Sequence, residues 1–170
     1  MDFLDVIHKR HSIRQFEPKE IEAEKLESLL KIINNAPSAG DLQSFELVVV
    51  KDRAHRKALA HAALGQEFIQ EAPVVLVFCA NPGRARKQYG RRGESLYSIQ
   101  DATIAATYAQ LAAVELELST VWVGAFDEDA VKDVVGALKP VCIMPIGYPA
   151  ETPIITPRRP IEDIVHDEHL

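Results

Sequence analysis

Cysteine is scarce in this 170-residue sequence: only Cys79 and Cys142 occur, and each lies inside an apolar run (VVLVFCA and VCIMPIG). Two separate thiols in strand-like segments argue against a disulfide-stabilised secreted scaffold and favour buried, reduced side chains. A catalytic or disulfide role is the weaker alternative. We therefore expect the protein to work in a reducing compartment, the cytoplasm.

A surplus of positive charge and long apolar runs are missing as well. The formal net charge is −6, which argues against a general nucleic-acid-binding protein, since such proteins present a basic face. No apolar run approaches the roughly 18 residues expected of a membrane span. The opening stretch MDFLDVIHKRH has acids among its apolar residues and does not predict a secretory signal. We expect neither a nucleic-acid nor a membrane partner.

The composition and the apolar spacing predict one α+β domain over residues 1–170. Hydrophobic residues make up 47% of the chain, enough for a core. A sheet of four or more strands should be flanked by helices, and residues 150–170 should form an extended, proline-punctuated tail. The predicted helices are 2–9, one carrying Leu26 to Ile33, 52–64, 94–118 and 127–135, and the predicted strands are 45–50, 73–80, 120–124 and 141–148.

The long helix over 94–118 carries a stripe of alanines at helical spacing. Small residues on one face let another backbone approach closely, so we expect this helix to pack against its copy in a homodimer. A plainly buried helix in a monomer is the alternative. The stripe consists of Ala102, Ala105, Ala106, Ala109, Ala112 and Ala113.

A cationic segment, Arg10-His11-Ser12-Ile13-Arg14, follows the first helix. Guanidinium groups, a hydroxyl and loop N–H groups suit an oxyanion such as phosphate. Basic residues near a helix C-terminus also complement the helix dipole, so on its own the segment does not decide between the two.

Two further stretches have the chemistry of ligand contacts. In APSAGDLQSF, residues 36–45, small residues allow close backbone approach to a flat ligand, and the polar side chains could pair with ring heteroatoms. In TPRRP, residues 156–160, two adjacent arginines could reach the same anion. The alternatives are an ordinary helix-to-strand turn and an exposed basic tail.

Two other features favour unremarkable interpretations. The predicted loop over 83–93 holds five arginines and lysines; it could grip dinucleotide phosphates or act as a lid, but a solvated loop is favoured. His166 and His169 are spaced like a metal pair, but an exposed terminal turn is favoured, and we expect no metal site.

These motifs together resemble the FMN-dependent nitroreductase family. The order is R-x-S-x-R, then APSAGDLQ, the alanine-rich helix leading to VWVGAFD, then MPIGYP and a Pro-Arg-Arg-Pro tail. The resemblance spans roughly residues 3 to 165. It implies an α+β nitroreductase-like fold, with a central mixed or antiparallel sheet flanked by helices. It also implies an intertwined homodimer with FMN at the interface, each site drawing on both chains through the tail.

The resemblance assigns candidate cofactor residues by position. Arg10, His11 and Ser12 match contacts to the flavin phosphate and ribityl chain, and Arg14 matches a basic position at the pyrimidine edge. The remaining matches are Pro37, Ser38 and Ala39 along the cofactor, Asp41 and Gln43 as its polar partners, Val123 and Gly124 facing N5 of the ring, and Arg158 or Arg159 at the phosphate.

The implied activity is hydride transfer from NADH or NADPH through FMN to an oxidised acceptor, such as a nitroaromatic or a quinone, in a ping-pong cycle. Gly124 and Arg14 are the residues expected to support the chemistry. A reductive dehalogenase or flavin-destroying enzyme of the same fold, and a non-catalytic flavin sensor, are the alternatives. Asp41 stands where asparagine is common in the family, and a carboxylate there would disfavour the anionic reduced flavin.

Overall fold

The computed structural model describes residues 1–136 and 138–169, and within them the chain forms a four-stranded sheet with helices on both faces. The helices are α1 (Phe3–Lys9), α2 (Ala23–Ile33), α3 (Arg53–Ala62), α4 (Phe68–Glu71), α5 (Pro82–Arg92), α6 (Ser98–Glu115) and α7 (Glu128–Val135). The strands are β1 (Phe45–Val50), β2 (Val74–Ala80), β3 (Ser119–Thr120) and β4 (Lys139–Gly147).

The strands lie in the order β1-β2-β4-β3, and every neighbouring pair is antiparallel. Phe45 pairs with Ala80 at one end of the sheet, while Val74 pairs with Ile146 at the other. The β-branched runs form the strands. In β2 every residue is buried, and its side chains alternate between two apolar layers, which suits a continuous run of apolar residues. The predicted α+β architecture is confirmed, and its sheet is antiparallel rather than mixed.

The two layers divide the helices between the faces of the sheet. On one face Leu76 and Phe78 pack with residues of α2 and α6. On the other face Val75 and Val77 pack with residues of α3 and α7. The sheet is therefore the middle layer of the domain, and loops at its two ends are the places where a ligand can reach the backbone.

The alanine stripe of α6 packs inside its own chain, which corrects the expectation that it faces a second copy. All six alanines are at most 5% exposed. Five of them lie in one apolar cluster with residues of β2 and β4, such as Leu76 and Met144. Small side chains are needed here because they let a helix lie directly on a sheet of large aliphatic residues.

The segment 83–93, expected as a loop, is mostly the helix α5. Asn81 caps this helix by accepting a hydrogen bond from the Arg84 N–H, and Pro82 occupies its first turn. An Asn-Pro pair is typical of a turn but serves equally as a helix start, and the buried Ala85 anchors the helix. The backbone bends at Gly90, where φ is 57°.

Two predicted element boundaries also differ. The long helix was expected from residue 94, but a wide π-type turn at Gly93–Tyr97 precedes α6. The strand expected over 120–124 stops at Thr120, and the chain rejoins the sheet only through Val123. Val123 exchanges both backbone hydrogen bonds with Ile143, each at 3.0 Å.

Both cysteines are buried and free, as predicted. Burial raises the pKa of the Cys79 thiol to about 11 and raises the pKa of Cys142 as well. Neither thiol is therefore suited to nucleophilic chemistry. Across residues 1–136 and 138–169, no helix has the length and apolar character to cross a membrane.

Candidate functional site

The cationic segment begins where α1 ends. Asp2 caps α1 by accepting from the Leu4 N–H at 2.9 Å, and the chain turns extended at Arg10, with ψ of 108°. Ile13 is buried, and its N–H donates to the Thr120 carbonyl at 3.1 Å. On either side of Ile13 in sequence, Arg10 is half-buried and Arg14 is exposed. The segment is thus tied to the end of the sheet where β3 lies.

The guanidinium groups of this segment are not neutralised. In the described chain neither Arg10 nor Arg14 forms an ion pair with a carboxylate. The exposed Ser12 hydroxyl and half-buried His11 lie between them in sequence. Two guanidiniums, a hydroxyl and an imidazole are a donor set that fits a phosphate group.

An acidic side chain that the sequence did not single out lies beside the cationic segment. The Glu151 carboxylate accepts hydrogen bonds from the N–H groups of Arg14 and Gln15, the latter at 3.2 Å. The neighbouring Ala150 N–H donates to the Gln15 carbonyl at 2.9 Å. The C-terminal tail therefore departs from a position directly alongside the cationic segment.

The second candidate stretch, residues 36–45, forms a tight loop over residues 37–44, between α2 and β1. Pro37 lies three residues after Asn34, the C-cap of α2, and Gly40, Asp41 and Gln43 all have positive φ, between 44° and 55°. The Gln43 N–H donates to the Ser38 hydroxyl oxygen at 2.8 Å. Backbone of this kind is costly for residues other than glycine, so the surrounding structure must hold it.

The two polar candidates of this loop pair with each other. The Gln43 side-chain amide donates to the Asp41 carboxylate. Asp41 is exposed and Gln43 is half-buried. Their assignment as partners of ring heteroatoms stays a prediction, and a ligand using them would have to share or replace this hydrogen bond.

A buried carboxylate on α6, Asp101, holds both ends of the loop and was missed at the level of sequence. It accepts from the Ala39 N–H at 2.9 Å, from the Ser44 N–H at 3.2 Å and from the Ser44 hydroxyl. Its exposure is only 1%. One signal could have found it: Asp101 stands four and eight residues before Ala105 and Ala109, on the same buried stripe.

Helix α5 covers the outer side of this loop. The Arg84 Nε donates to the Leu42 carbonyl at 2.5 Å, and Gly40 lies so close to Tyr89 that a Cβ there would overlap the Tyr89 hydroxyl. Further along, Arg86 forms an ion pair with Glu94 at 2.9 Å. Roles of this cationic helix as a lid or as a grip for dinucleotide phosphates stay predictions.

The pair Val123-Gly124 offers one donor rather than two. The backbone groups of Val123 are occupied by Ile143, whereas Gly124 is exposed. Within residues 1–136 and 138–169 its N–H donates to no other group. Of this pair, only Gly124 can present an N–H to a ligand.

The tail arginines lie far along an exposed segment. Arg158 and Arg159 are both exposed, and Arg159 donates to the carbonyl of Asp163 at 2.6 Å. His166 and His169 are likewise exposed. In the described part of the chain, no group of three or more His, Cys, Asp or Glu side chains is arranged to hold a metal ion.

Within one chain, the cationic segment and the 37–44 loop lie at opposite ends of the sheet. Ser12 bridges to Thr120, which pairs with Ile146 opposite Val74, whereas the loop runs into Phe45 opposite Ala80. From Val74 to Ala80, a strand spans ~20 Å at about 3.3 Å per residue. Helix α6 shows the same separation, because ~21 Å lies between Asp101 and Glu115 at about 1.5 Å per residue.

The N-terminus confirms which end of α6 carries the cationic segment. The amino group of Met1 lies 2.7 Å from the Glu115 carboxylate, at the far end from Asp101. In the described residues, no hydrogen bond joins residues 10–14 to residues 37–43. One chain therefore does not bring its two candidate ligand-binding segments together.

Comparison with known proteins identifies the class to which this fold belongs. The sequence matches the Nitroreductase family over residues 7–67 and 60–148. This chain belongs to the Nitroreductase family, as the resemblance of its motifs predicted.

Named relatives share most of the chain. It is 32% identical over 174 residues to the FMN reductase [NAD(P)H] of Bacillus subtilis, covering 92% of this chain and 70% of the relative. It is 30% identical over 187 residues to the NADH dehydrogenase of Thermus thermophilus, covering 92% and 91%. It is 27% identical to the oxygen-insensitive NADPH nitroreductase of Salmonella typhimurium, covering 96% and 72%.

Solved structures show the same fold. Nitroreductase A from Vibrio parahaemolyticus superposes with a TM-score of 0.91 at 28% identity, covering all of this chain and 77% of that one. The NADPH:FMN oxidoreductase from Vibrio harveyi, complexed with NAD+, superposes with a TM-score of 0.90 at 26% identity, covering 99% and 77%.

Proposed function

We propose that the protein is an FMN-dependent NAD(P)H oxidoreductase whose cofactor binds between two copies of the chain. The observation that carries this proposal is the placement of two preformed segments with the right chemistry at opposite ends of the domain, in a member of the Nitroreductase family. The names of its relatives support the general activity, since they include an FMN reductase and an NADPH nitroreductase.

The residues present fit FMN. The guanidinium groups of Arg10 and Arg14 form no ion pair in the described chain, and Ser12 adds an exposed hydroxyl, so this segment can take the phosphate and the ribityl chain. At the 37–44 loop, the small side chain of Ala39 leaves its backbone accessible, which suits a flat ring.

A homodimer explains how these segments could serve one ligand. Because about 20 Å separates them within a chain, one flavin would use the cationic segment of one copy and the loop of another. The tail supports such an arrangement, since Ile154 and Ile155 are 87% and 79% exposed. Burying them against a second copy would carry Arg158 and Arg159 to the phosphate of a site shared by both chains.

Bound FMN would supply the redox chemistry, accepting hydride from NADH or NADPH and passing it to an oxidised acceptor in a ping-pong cycle. The protein would supply position and charge. Arg14 would stabilise negative charge on the pyrimidine edge of the ring, and the exposed Gly124 N–H would donate to the ring at N5. The carboxylate of Asp41 would destabilise negative charge on the ring by electrostatic repulsion.

The acceptor is proposed to be a nitroaromatic or a quinone. A shallow, mainly apolar depression lies beside the loop, lined by Ala39, Tyr97, Gln100 and Ile104 among others. An open apolar surface of this kind accommodates flat aromatic molecules and imposes little selection among them.

An anaerobic absorbance titration tests the proposal. The purified protein is loaded with FMN, titrated with NADH and with NADPH, and then given nitrobenzene or a benzoquinone. We expect the flavin band to bleach with one donor or both and to return with either acceptor. A protein that gains no stability from added FMN would contradict the proposal.

The two alternatives give different results in the same titration. A flavin sensor would bind FMN but would not be bleached by either nucleotide. A reductive dehalogenase would be bleached, but its colour would return with a halogenated aromatic and not with the quinone.

A further inference from the structure

We propose that Asp101 is a positioning residue for the flavin, acting through the 37–44 loop; this inference rests on the proposed function. A single buried carboxylate receives hydrogen bonds from both ends of the part of the loop that lies between Ala39 and Ser44. With the Ser44 hydroxyl, the Asp101 carboxylate accepts three hydrogen bonds, and in the described residues no lysine, arginine or histidine forms an ion pair with it.

The loop needs this support because its backbone is strained. Asp41 and Gln43 have φ of 55° and 44°, a region that side-chain-bearing residues rarely adopt because it is strained. The hydrogen bond between Gln43 and Ser38 closes the loop from within. Asp101 ties both ends of the loop to α6, a helix of the core.

The position of Asp101 at the ligand-facing side distinguishes it from an ordinary buried polar residue. It borders the apolar depression together with Ala39, Gln100 and Ile104. The main-chain N–H of Ala39 donates to the carboxylate at 2.9 Å, so the orientation of this peptide, against which we place the ring, is set by the same hydrogen bond. A shift of the carboxylate would move the surface on which the flavin rests.

Asp101→Asn is the sharpest variant because it keeps the size of the side chain. An amide has one acceptor oxygen, and its NH2 group would face one of the donors of Ser44 or Ala39. At least one buried donor would then lose its partner, and the loop would leave its strained conformation more easily. Ser44→Ala is a milder variant, which removes only the hydroxyl donor.

A matched control separates loop positioning from loss of general stability. Val131→Ala truncates a fully buried side chain on α7, in the apolar layer on the other face of the sheet. It lowers the melting temperature without touching the loop. The flavin-free proteins are compared by thermal melting, by amide hydrogen exchange of the peptide covering 38–44, and by FMN titration.

In Asp101→Asn we expect faster exchange in residues 38–44 and FMN affinity weakened by about tenfold or more, the scale of a buried donor left without a partner. In Ser44→Ala we expect a loss of about threefold. Val131→Ala should keep wild-type FMN affinity and loop exchange despite its lower melting temperature.

Unchanged FMN affinity and loop exchange in Asp101→Asn would overturn the inference while leaving the proposed function intact. If Asp101→Asn does not fold, unchanged FMN affinity and unchanged loop exchange in Ser44→Ala would overturn the inference instead. Wild-type protein that fails to bind FMN would instead remove the proposed function, and the ligand of this inference with it.

Discussion

The 37–44 loop and the C-terminal tail over 152–169 were both expected to contact one cofactor, yet they are held very differently. The loop is tied down by its own chain, through Asp101 on one side and Arg84 on the other. The tail has almost no such contacts, and Ile154, Ile155 and Ile161 are 74–87% exposed.

This difference indicates which part of the proposed site is preorganised. A ligand reaching the loop would find its backbone already in place, so binding would cost little ordering entropy. The tail would have to be ordered by another surface, and its apolar residues make a second copy of the chain the natural one. Helix α1 also exposes apolar residues, since Phe3 and Leu4 are 67% and 62% exposed.

Removing the tail should have the largest effect. A chain ending at Glu151 should keep its fold, because the remaining core is untouched, but should lose FMN binding by about 100-fold or more, because both candidates for the phosphate contact, Arg158 and Arg159, are removed. Its dimerisation should weaken too. Sedimentation and FMN titration measure both, and a truncated chain with wild-type affinity would show that the tail takes no part in the site.

The cationic segment should give the next largest effect. Arg10→Ala should weaken FMN binding by about 1.5–3 kcal/mol, or roughly 10–150-fold, as expected for a charge-assisted hydrogen bond. Lys9→Ala, at the solvated end of α1, is the matched control and should change the affinity little. Equal affinities for the two variants would place Arg10 outside the site.

Gly40 tests how firmly α5 holds the loop. Gly40→Ala forces an alanine to a φ of 55° and brings its Cβ into the Tyr89 hydroxyl. Gly65→Ala is the control, because Gly65 has a φ of 78° but open space around it. Both should lose about 1–2 kcal/mol from backbone strain, and Gly40→Ala should lose about 1–3 kcal/mol more from the overlap.

Denaturant unfolding measures this difference. If the two variants are equally stable, Tyr89 does not restrain the loop. Adding Tyr89→Phe to Gly40→Ala should recover part of the loss, because it removes the atom that a Cβ would overlap.

The smallest effect should come from the residues that hold the chain where the tail begins. The Tyr148 hydroxyl donates to the Glu22 carboxylate at 2.5 Å and accepts from Lys25 at 3.0 Å. The hydrogen bond from Tyr148 is the largest of the causes that lower the pKa of Glu22 to about 2. A carboxyl with a lowered pKa stabilises the fold above its unfolded pKa, and this contribution is lost as the pH falls towards 2.

The stability difference between wild type and Glu22→Gln should therefore be present at pH 6 and should shrink steadily between about pH 5 and 2. Urea unfolding at several pH values measures it. Glu20→Gln, an exposed acid outside this group of residues, is the control. A difference that stayed constant with pH would show that the charge of Glu22 contributes nothing.

Much of the fold could be predicted because its signals are local. The β-branched runs around Val48 and Val77 predicted strands of the right order of length, and the periodic leucines from Leu26 to Leu30 predicted α2. The prediction of a loop over 83–93 was wrong because the Asn81-Pro82 pair before it suits a turn and a helix start equally well. The alanine stripe predicted close packing but could not name the partner, since a sheet and a helix both accept it.

The site was less predictable because it depends on contacts distant in sequence. Asp101 lies more than fifty residues from the loop it holds, and Glu151 more than a hundred from Arg14. Such pairs leave no local pattern. The placement of Ser12 and Ala39 at opposite ends of the sheet likewise depends on the register of the strands, which is set by how the strands pair and not by any single segment of sequence.

Complementation in mixed dimers tests most directly whether the flavin site is shared between two copies of the chain. One chain carries Arg10→Ala, which impairs the cationic segment, and the other carries Ala39→Glu, which puts a charged side chain on the ring-facing loop. If each site takes its segment from one copy and its loop from the other, a mixed dimer contains one doubly impaired site and one wild-type site. We predict one FMN bound per mixed dimer with wild-type affinity, and finding no site of wild-type affinity would contradict a shared site.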